Sequence, residues 1–294
     1  MRTEKVFVTT RDGRRMKLLI LRPDGRGEGE GPSTGVLWMH GGGYETGTAG
    51  MVKYLGRARS LVLKYGAVVL SPEYRLSGQA PYPAALEDCY DALLYMKNHA
   101  DALRIRSNQL MVGGESAGGG LAAALCMCAR DRGEVRIAYQ MPLYPMLDNE
   151  ATDSSRDNHA PVWNTRRNNR AWKKYLGGLH SGEVPPYAAA ARQKDYAGLP
   201  PAYTFVGDAE PFYCETLAYI ENLKRAGVAA NVDVYPGCFH AFDLLLPFLK
   251  VSRRAIRRFE AQYCHAAAHC FAEQPRDAEL QKAKAGAAPA APEA

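Results

Sequence analysis

One serine stands in a pattern suited to nucleophilic chemistry. Residues 114–118 place Ser116 two residues from a glycine on either side, between a strand-like apolar stretch (109–112) and a helix-like one (121–129). Because glycine has no Cβ, this pattern permits a strained strand-to-helix turn that exposes the serine hydroxyl. At a helix N-terminus, backbone N–H groups and the helix dipole favour a developing anion. Ordinary glycine-rich turns share the pattern, so it needs support from elsewhere in the chain.

A second glycine-rich motif follows an earlier apolar run, residues 36–39. His40 precedes three consecutive glycines, whose high entropic cost indicates a backbone that another group approaches closely. A loop of this kind after a strand can direct N–H groups at the carbonyl oxygen that becomes negative during acyl transfer. We predict the N–H groups of Gly42, Gly43 and Ala117 as these donors. His40 is expected to organise the loop rather than to move protons.

A serine hydroxyl needs a base before it becomes a good nucleophile. Among the seven histidines, His240 is the best candidate because it follows the predicted strand 231–235. In sheets of this type, active-site residues collect where the C-terminal ends of the strands meet. We therefore predict that His240 is the base.

The base in turn needs a carboxylate that orients it and stabilises its charged form. Asp208 and Glu210 both follow the predicted strand 202–206. Both fit the chain order serine, acid, histidine that is expected of an α/β-hydrolase, so spacing alone leaves the choice open. Asp148 and Asp243 are weaker candidates, and we expect them to have structural roles.

Alternating strands and helices are predicted to position these groups. A hairpin turns at Asp12-Gly13. Further strands are predicted near 36–39, 67–70, 109–113, 137–143, 202–206 and 231–235, and helices near 51–65, 84–99, 116–132 and 212–226. This alternation predicts an α/β fold with a mostly parallel sheet that is covered by helices on both faces.

Length and composition indicate a globular protein of 294 residues, with 47% hydrophobic and 23% charged residues. We predict one large domain over residues 1–273, an insertion at about 148–195 that forms a small cap, and a disordered Ala/Pro-rich tail over 274–294. No stretch approaches the roughly 20 apolar residues needed to cross a bilayer. The N-terminus lacks an apolar signal core, so a cytoplasmic location is expected.

Charge and cysteine content argue against several other classes of protein. The seven cysteines match no disulfide framework or zinc-site spacing, so no metal is expected. The net charge of +6 comes without a recognisable nucleic-acid-binding module. We therefore expect no nucleic acid and no membrane as partners, and the sequence leaves open whether the chain forms a homodimer.

Taken together, these motifs resemble the hormone-sensitive-lipase-like family of α/β-hydrolases, particularly its bacterial carboxylesterases of the acetyl-esterase type. The resemblance covers residues 36–242 and rests on His40-Gly41-Gly42-Gly43, Tyr74-Arg75-Leu76 and residues 82–88, 114–119 and 235–240. It implies the α/β-hydrolase fold, with Ser116 as nucleophile, His240 as base, and Gly42, Gly43 and Ala117 as oxyanion donors.

The acidic position departs from that family's usual pattern. Family members generally have an aspartate in an Asp-Pro-Leu or Asp-Leu-Phe segment, whereas the matching position here is Glu210, followed by Pro211 and Phe212. We expect Glu210 to be the third member of the triad, with its extra methylene absorbed by a small backbone shift. Asp208 is the alternative.

The resemblance implies a serine carboxylesterase that hydrolyses small-molecule esters through an acyl-enzyme and needs no cofactor. The segment before His40 reads as strands and loop, so the cap must come mainly from 148–195. A thin cap predicts a shallow pocket and short acyl chains, with Tyr44, Trp163 and Trp172 as candidate lining residues. The alternatives are an amidase, formamidase or small-metabolite deacetylase that uses the same triad, or a ligand-binding relative without catalysis, although the latter typically lacks the serine or the histidine.

Overall fold

Eight strands of the chain form a single sheet. The structure, a computed structural model, describes residues 1–25, 31–54 and 56–276. The strands are β1 (Arg2–Thr9), β2 (Arg15–Arg22), β3 (Ser33–Met39), β4 (Val68–Pro72), β5 (Ile105–Glu115), β6 (Tyr139–Leu143), β7 (Ala202–Gly207) and β8 (Ala230–Tyr235). Their order across the sheet is β1-β2-β4-β3-β5-β6-β7-β8.

Eight α-helices connect these strands or follow them. They are α1 (Gly56–Tyr65), α2 (Ala84–Asn98), α3 (Ala100–Leu103), α4 (Ala117–Arg132), α5 (Thr165–Leu176), α6 (Tyr213–Arg225), α7 (Phe242–Leu245) and α8 (Lys250–His269). Short 3-10 turns occur at Ala49–Lys53, Gly177–Ser181 and Ala190–Arg192. This count covers the described ranges only.

The pairing confirms the predicted α/β class. β1 pairs with β2, and β2 with β4, in antiparallel register, while every other neighbouring pair is parallel. Alternate side chains of β3 enter different hydrophobic clusters: Leu37 belongs to one and Trp38 to the other. Successive side chains of a strand point to opposite faces, so the sheet has a core on each side. That is why the central strands read as continuous apolar runs.

Element boundaries differ modestly from the sequence predictions. The segment predicted as one helix over 51–65 divides into the 3-10 turn Ala49–Lys53 and α1. In the cap, α5 spans Thr165–Leu176. Its start is set by Asn164, whose side chain accepts a hydrogen bond from the N–H of Arg167.

The cap region, residues 148–195, lies between β6 and β7 and contains α5 with two of the 3-10 turns.

Most of the predicted tail, residues 277–294, lies outside the described residues. At its start, the Gln274 side chain donates to the backbone carbonyls of Ser107 at 3.0 Å and Arg136 at 2.9 Å. The division into one domain, a cap and a tail stays a prediction.

Candidate active site

Ser116 occupies the turn between β5 and α4 in a strained backbone conformation, with φ 60° and ψ −120°. Positive φ is uncommon for a residue with a side chain and persists only where neighbouring structure enforces it. Here the Ser116 N–H donates to Leu143 of β6 at 3.0 Å, and its carbonyl accepts from Gly120 and Met146. The turn therefore holds the hydroxyl in a fixed place at the start of α4.

Close packing requires a glycine two residues after Ser116. A Cβ at Gly118 would lie 2.3 Å from the carbonyl oxygen of Met39, much closer than van der Waals contact. Only a residue without a side chain lets α4 approach the end of β3 this closely. The spacing seen in the sequence thus has a direct steric cause.

Ser116, His240 and Glu210 come together although they lie far apart in the chain. His240 Nε2 is 2.9 Å from Ser116 Oγ, so the hydroxyl can donate to the imidazole. On the other side of the ring, His240 Nδ1–H donates to Glu210 Oε2. The second carboxylate oxygen of Glu210 accepts from the N–H of Gly207 at 3.2 Å. This is the connectivity of a serine, histidine and acid triad.

Burial shapes the electrostatics of that carboxylate. Glu210 is fully buried, and this burial raises the pKa of its carboxyl, while the neighbouring His240 acts in the opposite direction. A charge that forms on the imidazole would therefore be held by a desolvated carboxylate, where electrostatic interactions are stronger than in water.

The three alternative acids have other partners. Asp208 is exposed and accepts from the N–H of Gly237 at 2.7 Å. Asp148 pairs with Arg192 at 2.6 Å. Asp243 forms a buried ion pair with Arg57. None of these contacts involves His240.

Three aromatic rings surround the His240 imidazole. Tyr144 and Phe212 each meet it edge to face, with ring centroids 5.0 Å away, and Trp163 of the cap lies at 6.3 Å. The sequence analysis named neither Tyr144 nor Phe212 as a neighbour of His240. Phe212 stands only two residues after Glu210 in the sequence, and this proximity could have indicated a place near His240. Tyr144 directly follows β6 and has φ 33°; no local sequence pattern predicts its contact with His240.

The predicted oxyanion loop, defined here as residues 41–47, runs from the end of β3 alongside Ser116. Gly42 has φ 123° and Gly43 has φ 61°, values that favour glycine. His40 at its start is buried and donates from Nδ1 to the Gly41 carbonyl at 2.8 Å, and Tyr74 stacks on its ring at 4.2 Å. Burial also lowers the pKa of His40. These contacts agree with the predicted role of His40 in organising the loop.

A cavity of about 340 Å³ opens onto these groups, with Ser116, His240, Gly42 and Gly43 in its wall. Most of the remaining wall is apolar: Trp38, Met51, Val52, Tyr144, Trp163 and Leu244. Of the three aromatic residues predicted to line a pocket, Trp163 does so. The prediction was wrong for Tyr44 and Trp172, which pack in the core.

Glu115 is a cavity residue that the sequence analysis missed. Its buried side chain accepts from Trp38 Nε1 at 2.7 Å and lines the cavity beside Ser116. Burial raises the pKa of this carboxyl to about 8, with partial opposition from the Trp38 hydrogen bond and from Arg57.

No group of histidine, cysteine and acidic side chains suited to a metal ion occurs within the described ranges. In the same ranges, no helix has the length and apolar character that crossing a bilayer requires.

Comparison with known proteins gives consistent similarities. The family described as alpha/beta hydrolase fold matches residues 36–244. Esterase LipI of Mycobacterium tuberculosis is 32% identical over 209 residues, which cover 70% of this chain and 65% of that protein. Carboxylesterase NlhH of the same species is 30% identical over 219 residues, which cover 72% and 68%. The chain thus spans about two thirds of the length of these curated relatives.

Among solved structures, a bacterial heroin esterase superposes with a TM-score of 0.85 at 33% sequence identity. The superposition covers 90% of this chain and 84% of the other. The similarity of fold therefore extends over most of this chain.

Proposed function

This chain belongs to the hormone-sensitive-lipase-like family of α/β-hydrolases, and on that premise we propose that it is a serine carboxylesterase acting on small-molecule esters with short acyl chains. The observation that supports this most strongly is the hydrogen-bonded series Glu210, His240 and Ser116, in which His240 Nε2 lies 2.9 Å from the serine oxygen. Two of the relatives are named as an esterase and a carboxylesterase, in agreement with ester bonds as the target.

In the first half of the proposed cycle, the Ser116 hydroxyl gives its proton to His240 Nε2 while Oγ attacks the ester carbonyl carbon. The carbonyl oxygen becomes negative and accepts hydrogen bonds from the N–H groups of Gly42, Gly43 and Ala117. Glu210 stabilises the imidazolium. The bond to the alcohol oxygen then breaks, and the alcohol leaves with the proton from His240.

In the second half, water replaces the alcohol. His240 takes a proton from the water, whose oxygen attacks the acyl carbon on Ser116. The second oxyanion is held by the same three N–H groups, and its collapse returns the proton to Ser116 and releases the carboxylic acid. Every proton passes through His240, so the proposed cycle requires no cofactor.

The short-chain preference is supported by the size of the cavity. Small-molecule pockets usually span about 300–1,000 Å³, and about 340 Å³ lies at the lower end of that range. The mostly apolar wall suits a short acyl group next to the nucleophile. A cytoplasmic location and a homodimeric assembly stay predictions.

Two measurements test the proposal. A fluorophosphonate probe should label the wild-type protein once, at Ser116, and should not label Ser116→Ala. The wild-type protein should also hydrolyse p-nitrophenyl acetate, and Ser116→Ala should lose at least about 1,000-fold in kcat. Absence of both labelling and turnover would favour a ligand-binding protein. Labelling with faster hydrolysis of anilides, formamides or N-acetyl metabolites than of esters would favour the amidase or deacetylase alternative.

A further inference from the structure

The cap helix α5 and Trp163, which precedes it, make three separate contacts with the oxyanion loop. The first is aromatic: the ring of Tyr44 in the loop stacks on the ring of Tyr175 in α5, with centroids 3.8 Å apart and 12° between the planes. Trp172 of α5 completes the contact at 5.8 Å from Tyr44. All three side chains are buried, so the loop is anchored to the cap through a desolvated aromatic cluster.

The second contact is ionic. Glu45 in the loop pairs with Arg170 at 3.0 Å and with Lys174 at 2.8 Å. Residues four apart in a helix lie on the same face, so both cations approach the carboxylate from one side of α5. The Glu45 side chain is only 8% exposed, whereas Arg170 and Lys174 are more than half exposed. The ion pairs therefore form a second link between the loop and α5.

The third contact is steric and involves Gly43 itself. A Cβ at Gly43 would lie 2.3 Å from Cη2 of Trp163, two residues before α5 begins. The Nε1–H group of Trp163 donates to Asn168 of α5 at 3.3 Å. The indole is thus joined to α5 and covers the loop at a predicted oxyanion donor.

The loop is also held by contacts that do not involve α5: His40 Nδ1–H donates to the Gly41 carbonyl at 2.8 Å, and the Tyr44 hydroxyl donates to the Met146 carbonyl at 3.2 Å. Within it, the N–H groups of Glu45 and Thr46 both donate to the Gly42 carbonyl at 3.1 Å, and the Tyr44 carbonyl accepts from Ser77 at 2.8 Å. Residues 41–43 have no side chains with which to pack. The orientation of their N–H groups consequently depends on the residues that flank them, of which Tyr44 and Glu45 are bound to α5.

We propose that α5 is a positioning element for the oxyanion hole: through Tyr44, Glu45 and Gly43 it fixes the N–H groups that receive the negative oxygen. This inference rests on the proposed esterase function. Oxyanion donors act by being oriented before charge develops, and small displacements of catalytic groups lower rates strongly. Loosening α5 should therefore lower kcat for all esters by a similar factor and leave KM nearly unchanged. A helix that only limited substrate access would change KM and the substrate preference instead.

The ion pairs give the cleanest test because Arg170 and Lys174 are exposed and lie outside the cavity wall. The double variant Arg170→Ala/Lys174→Ala removes both partners of Glu45. Arg166→Ala/Lys173→Ala is a matched control: it removes the same charge from the same helix, and within the described part of the chain neither residue pairs with an acid. The conservative exchange Arg170→Lys/Lys174→Arg keeps both charges and should restore activity.

We expect Arg170→Ala/Lys174→Ala to lower kcat about three- to tenfold on acetyl and butyryl esters alike, with KM within about twofold. The control pair should stay at the wild-type kcat. Hydrogen exchange of the amides of residues 41–47 should accelerate in the test pair only. An unchanged kcat, an equal loss in the control pair, or an unchanged exchange rate in this loop would overturn the proposal. If the wild-type protein hydrolysed no ester, the proposed function would fail, while the exchange experiment would still test whether α5 orders the loop.

Discussion

Gly43 lies directly under the indole of Trp163, where a Cβ would approach the ring to 2.3 Å. The same glycine has φ 61°, a conformation that is unfavourable for residues with a side chain. Steric exclusion and backbone conformation thus each require glycine at this position. The contact also means that the cap and a predicted oxyanion donor share one packed surface.

Gly43→Ala should consequently lose activity while the protein stays folded. The new methyl group must displace either Trp163 or the loop, and displacing the loop moves a donor N–H. Removal of one oxyanion donor typically costs about 100- to 1,000-fold in kcat, and we expect a loss of that order in kcat with p-nitrophenyl acetate. The melting temperature of the variant shows whether the protein remains folded.

Gly13→Ala is the control for this substitution. Gly13 lies in the turn between β1 and β2 with φ 80°, and no atom lies within 4 Å of its hypothetical Cβ. The alanine should lower the free energy of unfolding by about 1 kcal/mol through the backbone alone and leave kcat unchanged. A Gly43→Ala variant with wild-type kcat would show that Gly43 is not a donor in the catalytic step.

The sequence alone was sufficient to predict the residues and elements whose positions follow from a local pattern. Ser116 and the glycines around it follow from the steric needs of one turn. His240 follows from its place after a strand, because parallel strands bring their C-terminal ends to one edge of the sheet. The order of strands and helices follows from apolar periodicity. These predictions depend on residues that are close together in the chain.

The choice between Asp208 and Glu210 and the residues that surround His240 could not be predicted from local patterns in the same way. Asp208 and Glu210 are two residues apart after β7, so chain order does not distinguish them. The family resemblance favoured Glu210, and the structure adds its burial and its hydrogen bond with His240. The contact between Trp163 and Gly43, and that between Tyr44 and Tyr175, join the cap to a loop more than 100 residues earlier. Cap segments without regular periodicity give no indication of such contacts.

Substitution of the two acids should separate them functionally. Glu210 Oε2 accepts from His240, whereas Asp208 is bonded to the N–H of Gly237. We expect Glu210→Ala to lower kcat by about 1,000-fold or more, because the imidazole loses both its orientation and the partner of its charge. Asp208→Ala should change kcat less than about tenfold, since it removes only a bond within a loop. A large loss in the Asp208 variant alone would make Asp208 the triad acid.

Acyl-chain length should affect catalytic efficiency strongly. The cavity of about 340 Å³ is bounded by Trp38, Tyr144 and Leu244, and overfilling a packed site forces neighbouring groups out of position. We expect kcat/KM to fall steeply from acetyl or butyryl to dodecanoyl esters of p-nitrophenol. The rates should be measured below the concentration at which the long esters aggregate. A rise with chain length would contradict a small acyl site.

Glu115 should make the stability of the fold depend on pH. Burial raises the pKa of this carboxyl from 4.5 to about 8. Between these values the folded protein keeps a proton that the unfolded chain has lost, so the unfolded state binds fewer protons and stability decreases as pH rises. The decrease starts near pH 4.5 and ends near pH 8. A shift of this size corresponds to a loss of about 3–5 kcal/mol over that interval.

Glu115→Gln should remove this contribution. The amide oxygen can still accept from Trp38 Nε1, and the charged neighbours Arg57 and Asp243 are the same in both proteins. Urea unfolding at several pH values between 5 and 9 measures the difference in the free energy of unfolding. We expect similar stabilities at pH 5 and a growing advantage of the glutamine variant up to about pH 8, while the exposed control Glu183→Gln gives a constant difference. If the difference between Glu115→Gln and wild type were also constant with pH, the carboxyl would not retain its proton in the folded state.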